Sequence, residues 1–348
     1  MSSVRVVVTS YVEPELVEQM RAVDPRLDVC FEPELLPPPV YPSDHRGDPD
    51  FERTPEQEAR FAELLAGAEV LYGFPREDPA QLAWAVRLAP RLRFVQCMFA
   101  GAGQQVRAAG LSEAELARIV FTSSAGVHAT PLAEWSLFGL LALRKGLPRL
   151  QADARERAWP HHPVPELRGG TLLVVGLGEI GREVARLGAA FGMRVVGVRR
   201  HPEPLEHVDE VHPPERLDAL AAAADAIVIT LPQTDETEGL VSRRTIEALK
   251  PTAVLVNVGR GTVVDEEALI EALRERRIAG AALDVFAVEP LPPESPLWEL
   301  ENVIVSPHTA ALSIHENERI VALFLENLRR YLEGEPLLSR IRTDGQYY

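Results

Sequence analysis

The 348-residue chain is 46% apolar and 25% charged, which is enough to build two domains with cores of their own. Its formal charge of −16 argues against nucleic acid or an anionic membrane surface as a partner, and fits ordinary solubility. No apolar run approaches the roughly 20 residues that a membrane span needs. The opening residues, MSSVRVVVTSYVEPE, run straight into a strand-like segment with acids behind it, so no secretory leader is expected. Cys30 and Cys97 lie in apolar, strand-like segments without metal-ligand spacing, which predicts buried thiols in a reducing, cytoplasmic setting. Only Lys145 and Lys250 are lysines, so almost no candidate exists for Schiff-base chemistry or a phosphate-loop lysine.

From the N-terminus, strand and helix patterns alternate. Apolar runs at 4–9, 27–31, 69–73, 92–97 and 119–122 predict five strands, with helical segments between them. Thr54-Pro55-Glu56-Gln57 joins a capping box to a proline at the first helical position, and Ser112-Glu113-Ala114-Glu115 is a second capping box. Residues 36–50, LPPPVYPSDHRGDPD, are proline-rich and polar and predict an irregular surface loop. At 99–103, FAGAG, a strand runs into a small-residue turn. Such a turn lets backbone N–H groups approach an anion, and serves equally as a plain tight turn. Residues 132–147 predict a helix too apolar for a surface, packed between layers. A polar, proline-punctuated arm follows, to Gly170. Its His161-His162 pair predicts no metal, because adjacent histidines share no helix face and no acid or cysteine completes a ligand set.

The next stretch, 171–200, reads TLLVVGLGEIGREVARLGAAFGMRVVGVRR. An apolar strand precedes Gly176, Gly178 and Gly181 in G-x-G-x-x-G spacing. A helix over 179–191, opened by Glu179 and Ile180, and a second strand over 194–198 follow. In a nucleotide-binding βαβ unit the first glycine allows the tight turn, the second lets backbone approach a pyrophosphate, and the third lets helix pack on strand. With strand, helix and strand in place, the motif predicts a dinucleotide site. The second strand ends in Arg199-Arg200, where NAD-binding units place a carboxylate for the ribose 2′-hydroxyl. A guanidinium there binds a 2′-phosphate, which predicts NADP(H). The alternative is NAD(H), with both arginines turned to solvent.

Further strands are predicted at 226–230, 253–258, 280–285 and 303–306. A helix over 265–277 carries acids in its first turn and arginines in its last, and a final helix over 313–333 ends at Gly334. Repeated alternation predicts an α/β protein with parallel, doubly wound sheets. Three segments place a reactive side chain at or just past a strand end: Asn257-Val258-Gly259-Arg260-Gly261, Leu283-Asp284-Val285-Phe286-Ala287-Val288-Glu289-Pro290 and Ser306-Pro307-His308-Thr309-Ala310. Ligands of open α/β sheets bind beyond the carboxyl ends of the strands. Arg260, Glu289 and His308 are therefore candidates for one cleft. Each taken singly also reads as an ion-pair partner, a turn residue or a loop histidine.

Together, GLGEIG, LPQTDETEGL, NVGRGTVVDEEALIEALRERRIAGAALDVFAVEP and NVIVSPHTA closely resemble the D-isomer-specific 2-hydroxyacid dehydrogenases, over nearly the whole chain and most strongly over 167–311. The resemblance implies a Rossmann coenzyme domain at 127–311 inserted into a flavodoxin-like substrate domain made of 1–126 and 312–348. The cleft would lie at their junction and the domains would close by a hinge. It also implies a homodimer built through the coenzyme domains and the arm at 144–167.

The resemblance further implies reversible hydride transfer between NADP(H) or NAD(H) and a small D-2-hydroxy acid/2-oxo acid pair, as in a glyoxylate/hydroxypyruvate reductase-like member. His308 would be the general acid/base, Glu289 would stabilise its imidazolium, and Arg260 would hold the substrate carboxylate and polarise its carbonyl. Backbone N–H groups of Ala100, Gly101, Ala102 and Gly103 would hold the same carboxylate. Glu179 and Ile180 would lie along the pyrophosphate, Leu231 and Pro232 beside the adenosine half, and Val258 near the nicotinamide ribose. Asp284 would meet the carboxamide, with Gly259, Arg260, His308 and Ala310 as further cofactor contacts. Glutamate rather than glutamine at 289 separates the chain from the family's formate dehydrogenases, and no further regulatory domain is expected after the final helix. The alternative function is a non-catalytic NAD(H)-binding scaffold resembling the family's corepressors.

Overall fold

The apolar runs become parallel strands, most of them buried on both faces and those at 27–30 and 303–305 half-buried. The computed structural model describes residues 3–343 and divides into two units, Met1–His128 with Leu312–Tyr348, and Ala129–Ala311. In the first unit, β1 (Val4–Val8), β2 (Leu27–Cys30), β3 (Val70–Tyr72), β4 (Phe94–Gln96) and β5 (Val120–Thr122) form a sheet in the order β2-β1-β3-β4-β5, with every pair parallel. This is the 2-1-3-4-5 doubly wound order. Alternation along β1 sets its two faces. Val7 joins a cluster with Phe61, Leu64, Leu82 and Val86, whereas Val6 and Val8 join Val17, Met20, Ile320 and Phe324. The ring of Phe324 on the final helix, Glu316–Glu333, stands 5.0 Å from that of Tyr72 and 5.7 Å from that of Phe94.

The second unit contains β6 (Thr171–Val175), β7 (Arg194–Val198), β8 (Glu210–His212), β9 (Ala226–Ile229), β10 (Val254–Asn257), β11 (Gly280–Leu283) and β12 (Val303–Val305). The order is β12-β11-β10-β9-β6-β7-β8, again all parallel. The chain leaves β6 in one direction and returns at β9 in the other, so the switch point lies between β6 and β9. Helix Ala129–Arg144 is packed between layers as its composition predicts. A Cβ on its Gly139 would stand 2.6 Å from the Cβ of Ala282 on β11. The helix begins at Ala129 rather than 132, since Pro131 is tolerated in a first turn. No helix among the described residues is long and apolar enough to cross a membrane.

Both predicted capping boxes form, at Thr54 with Gln57 and at Ser112 with Glu115. Elsewhere the structure departs from the sequence pattern. β8 is a polar three-residue edge strand that exists by pairing with β7. The arm after helix Ala129–Arg144 is helical over Leu147–Glu156 before becoming irregular. The final helix starts at Glu316, because the Ser313 carbonyl and hydroxyl accept from the amides of Glu316 and His315 in a turn before it. Cys97 is buried, whereas Cys30 is only half-buried; both are free thiols.

The loop at 36–50 is irregular but not simply a surface loop, since Ser43, Asp44 and His45 are buried. The cause is Glu316, a buried acid whose Oε1 accepts from His128 Nε2 at 3.0 Å and from His45 Nε2 at 3.3 Å. Burial pushes the Glu316 carboxyl up, but the bonds and charges of His128 and His45 outweigh it and hold the group at about 2. A carboxyl depressed below its unfolded value contributes stability above the unfolded value and loses it as pH falls toward 2. The contribution is on the order of 2–3 kcal/mol. Glu316→Gln should therefore be less stable than the parent at pH 7 by about that amount. The gap should shrink steadily between about pH 4.5 and 2 in urea titrations. A gap that persists unchanged to pH 2 would rule out this account.

Candidate active site

In the second unit the predicted ligand residues lie just past the carboxyl ends of strands in one sheet. Gly176 follows β6, Arg199 and Arg200 follow β7, Leu231 and Pro232 lie past β9, and Val258, Gly259 and Arg260 follow β10. Asp284 follows β11, and His308 and Ala310 lie past β12. The glycine turn shows why its spacing is strict. Gly176 has φ +102°, and a Cβ on Gly181 would stand 1.9 Å from the Gly176 carbonyl oxygen. A Cβ on Gly178 would meet nothing within 4 Å. Gly178 is the N-cap of helix Glu179–Ala190, and no side chain caps its first turn. Open backbone, unclaimed N–H groups and a positive dipole end fit a pyrophosphate at this position.

Past β10, the buried Asn257 side chain accepts from Gly259 N at 3.0 Å and donates to the Arg260 carbonyl at 3.0 Å. Gly261 then packs backbone to backbone on Phe286, where an added Cβ would lie 1.8 Å from the Phe286 carbonyl carbon. Phe286 N donates at 3.0 Å to Glu289 Oε1, leaving Oε2 to accept from His308 Nδ1 at 2.7 Å. The Arg260 segment, Glu289 and His308 are thus joined through Phe286. The Arg260 guanidinium itself donates at 2.6 Å to the Gly259 carbonyl and reaches neither Glu289 nor His308. His308 adopts φ +54°, and its amide is secured by the carbonyls of Asp284 and Ser306, each at 3.0 Å.

Asp284 is the residue whose local role the sequence did not disclose. Its Oδ1 accepts from Ser306 Oγ at 2.6 Å, Thr309 N at 2.9 Å and Ala310 N at 3.0 Å. Burial pushes its carboxyl above the ordinary carboxylate range despite those three bonds. Asn257, Ser306 and Thr309 were missed as positioning residues. Their only sequence signal is polar character at strand ends otherwise rich in apolar residues. At the β7 end, Arg199 Nη1 donates to Glu203 Oε1 at 2.6 Å, and Arg200 pairs with Glu236. In the first unit Ala100 and Gly101 are exposed and Ala102 and Gly103 buried. The Ala102 amide closes a turn onto the Phe99 carbonyl at 3.3 Å, so it is the least available of the four.

A doubly wound sheet with an uncapped, glycine-gated helix at its switch point, and an acid-held imidazole past the edge strand β12, fits a dinucleotide-dependent oxidoreductase. The profile of the D-isomer specific 2-hydroxyacid dehydrogenase, NAD binding domain, matches residues 137–310. A glyoxylate reductase of Korarchaeum cryptofilum is 36% identical over 256 residues, covering 71% of this chain and 75% of that protein. The D-isomer specific 2-hydroxyacid dehydrogenase of Xanthobacter autotrophicus Py2, solved with NADPH and MES, superposes with a TM-score of 0.74 at 30% identity, covering 98% of each chain. The NADPH-dependent glyoxylate/hydroxypyruvate reductase of Sinorhizobium meliloti, solved with NADP and sulfate, gives a TM-score of 0.74 at 26% identity, covering 97% of this chain and 98% of that one. The chain belongs to the D-isomer specific 2-hydroxyacid dehydrogenase family and is an NAD(P)-dependent oxidoreductase.

The glycine turn makes two substitutions diverge. Gly178→Ala meets no atom, so the melting temperature should stay within about 2 °C of the parent while dinucleotide affinity falls. Gly181→Ala collides with the Gly176 carbonyl and should lower the melting temperature without any ligand. Thermal unfolding with fluorescence titration of NADPH checks both. Equal destabilisation by the two changes would contradict the geometry.

Proposed function

We propose that this enzyme interconverts a small 2-oxo acid and the corresponding D-2-hydroxy acid, with His308 as general acid/base. The observation that carries the reading is the 2.7 Å bond from His308 Nδ1 to Glu289 Oε2. With Nδ1–H committed to a carboxylate, Nε2 is the nitrogen left to deliver or take the proton of the substrate oxygen. Glu289 holds the ring through Oε2; its other oxygen is kept in place by the Phe286 amide. Arg260 offers a planar fork to the substrate carboxylate, once its guanidinium turns from the Gly259 carbonyl. Ala100, Gly101 and Gly103 would add backbone donors to that carboxylate, with Ala102 less available, making the first unit the substrate domain. A bound NAD(P)H supplies the hydride. Gly176, Gly178, Glu179, Ile180 and Gly181 would hold its pyrophosphate, and Leu231 and Pro232 its adenosine half. Val258 and Gly259 would meet the nicotinamide ribose, and Asp284 and Ala310 the carboxamide end.

His308→Asn should cut kcat/KM for glyoxylate or hydroxypyruvate by about 10²–10⁴-fold, as loss of a general acid does, with the fold intact by circular dichroism. Near-parental kcat/KM in that variant would sink the assignment.

NADP(H) is the proposed preference, with NAD(H) as the alternative. The support is Arg199 and Arg200 past β7, where an NAD-type carboxylate would stand. Both arginines are engaged, with Glu203 and Glu236. Exposed ion pairs are worth about 0–1 kcal/mol, however, whereas a hydrogen bond to a charged group is worth about 1.5–3 kcal/mol. A 2′-phosphate should therefore displace the carboxylates. Arg199→Asp should lower the ratio of kcat/KM with NADPH to kcat/KM with NADH by about ten- to a hundredfold. A parent enzyme that prefers NADH would reverse the reading of Arg199.

The proposed assembly is a homodimer through the arm at 144–167, where Trp159 is 90% exposed and Val164 is exposed. A single 38.4 kDa species in light scattering at micromolar concentration would overturn it. A cytoplasmic location is proposed from the two free thiols, and fractionation of cells expressing the chain tests it.

A further inference from the structure

In the first unit the turn at 43–47, which follows the exposed residues Val40 and Tyr41, leaves one side chain exposed. Asp44 Oδ2 accepts from Val40 N at 3.1 Å, while its Oδ1 accepts from Arg46 N and Gly47 N, each at 3.1 Å. His45 is held by Glu316 at 3.3 Å. Gly47 has φ +69°, and a Cβ there would stand 2.5 Å from Pro37 Cβ, so this turn admits only glycine. Ser43, Asp44 and His45 are buried, and Arg46 alone projects from the anchored turn.

The Arg46 guanidinium lies 5.6 Å from the centre of the Phe99 ring, which His45 meets edge-on at 6.1 Å. Phe99 immediately precedes the turn at 100–103. Neighbouring arginines of this unit are spent on other partners: Arg53 on the Leu35 carbonyl and Glu58, Arg60 on Glu32 and Glu63, and Arg76 on the carbonyls of Asp48 and Phe51. Arg46 forms no ion pair and no side-chain hydrogen bond among the described residues; its guanidinium contact is the Phe99 ring. In a chain with 52 acids and 36 basic side chains, a guanidinium left unpaired on a rigid turn is an anion receptor in waiting.

We propose that Arg46 is a specificity-determining residue, binding a second anionic group at the far end of the 2-oxo acid and selecting acids that carry one over monoanionic acids of similar length. This rests on the reduction proposed above, with the substrate's own carboxylate at the turn beside Phe99. The second group is a carboxylate or a phosphate, since a guanidinium binds either through paired N–H donors.

The test uses the full chain with saturating NADPH or NADH, whichever it prefers. kcat/KM is measured for 2-oxoglutarate, 3-phosphohydroxypyruvate and 2-oxovalerate, which carry a distal carboxylate, a distal phosphate and no distal charge. The parent should favour at least one distally charged acid over 2-oxovalerate, and the favoured acid identifies the group. Arg46→Met keeps an apolar cover on Phe99 but removes the charge. It should lower the ratio of kcat/KM for the favoured distally charged acid to that for 2-oxovalerate by about ten- to a hundredfold, through KM more than kcat. Arg46→Lys should restore part of it, as a point charge without the fork. An unchanged ratio in Arg46→Met, or a parent that does not discriminate, overturns the inference while leaving the proposed reduction standing. A parent that reduces none of these acids, nor glyoxylate, overturns both. Because Arg46 is exposed, its variants should melt within about 2 °C of the parent, so a lost ratio is not lost folding.

Discussion

Asp284 Oδ1 accepts three hydrogen bonds from the segment that carries His308, and the Asp284 carbonyl accepts a fourth from the His308 amide. Those bonds tie the end of β11 to the chain leaving β12 and hold a histidine in the left-handed region, a conformation that costs about 1–3 kcal/mol. One carboxylate oxygen satisfies a hydroxyl and two amides at once. The geometry of the imidazole therefore follows from a buried acid that need not take part in any proton transfer. Glu289 in turn divides its oxygens between the Phe286 amide and the His308 ring. Asp284 thus fixes the backbone that carries His308, and Glu289 fixes its ring.

Close backbone approach is the second means by which this sheet builds its edge. Gly181 rests on the Gly176 carbonyl, Gly261 on Phe286, and Gly259 on Leu231, whose carbonyl oxygen would stand 2.5 Å from a Cβ at 259. At each of these three contacts backbone lies directly on backbone. What remains open is the backbone at Gly178 and the unclaimed amides of the helix behind it. Crowding at three glycines and space at a fourth make the dinucleotide site a shape as much as a motif.

The first unit relies on buried charge. Glu316 gathers the turn at 43–45 through His45, and the segment at 128 through His128, onto the start of the final helix. A lone buried carboxylate would be costly, and two imidazole donors convert that cost into a specific fold for an otherwise irregular proline-rich loop. With the turn anchored, the placement of Arg46 beside Phe99 is a consequence of Asp44, His45 and Gly47 being unable to move. The arginines past β7 are held differently, by exposed carboxylates that a stronger anion can replace.

The sequence by itself determined the two doubly wound sheets, the glycine turn at Gly176, Gly178 and Gly181, and the capping boxes at Thr54 and Ser112. It did so because burial of a parallel strand on both faces leaves an unbroken apolar run, and because caps and turns leave fixed residue types at fixed short offsets. Arg260, Glu289 and His308 were legible only as candidates at or past strand ends. That Glu289 and His308, 19 residues apart, share a hydrogen bond was decided by the order of β11 and β12 in the sheet. Tertiary structure alone decided the edge strand Glu210–His212, the inward fold of 43–45, the partners of Arg199 and Arg200, and the anchoring role of Asp284. Each depends on a hydrogen bond or ion pair whose partner is set by backbone path rather than by periodicity. A side chain's residue type specifies the bonds it can make, and only the fold specifies which group stands at the other end.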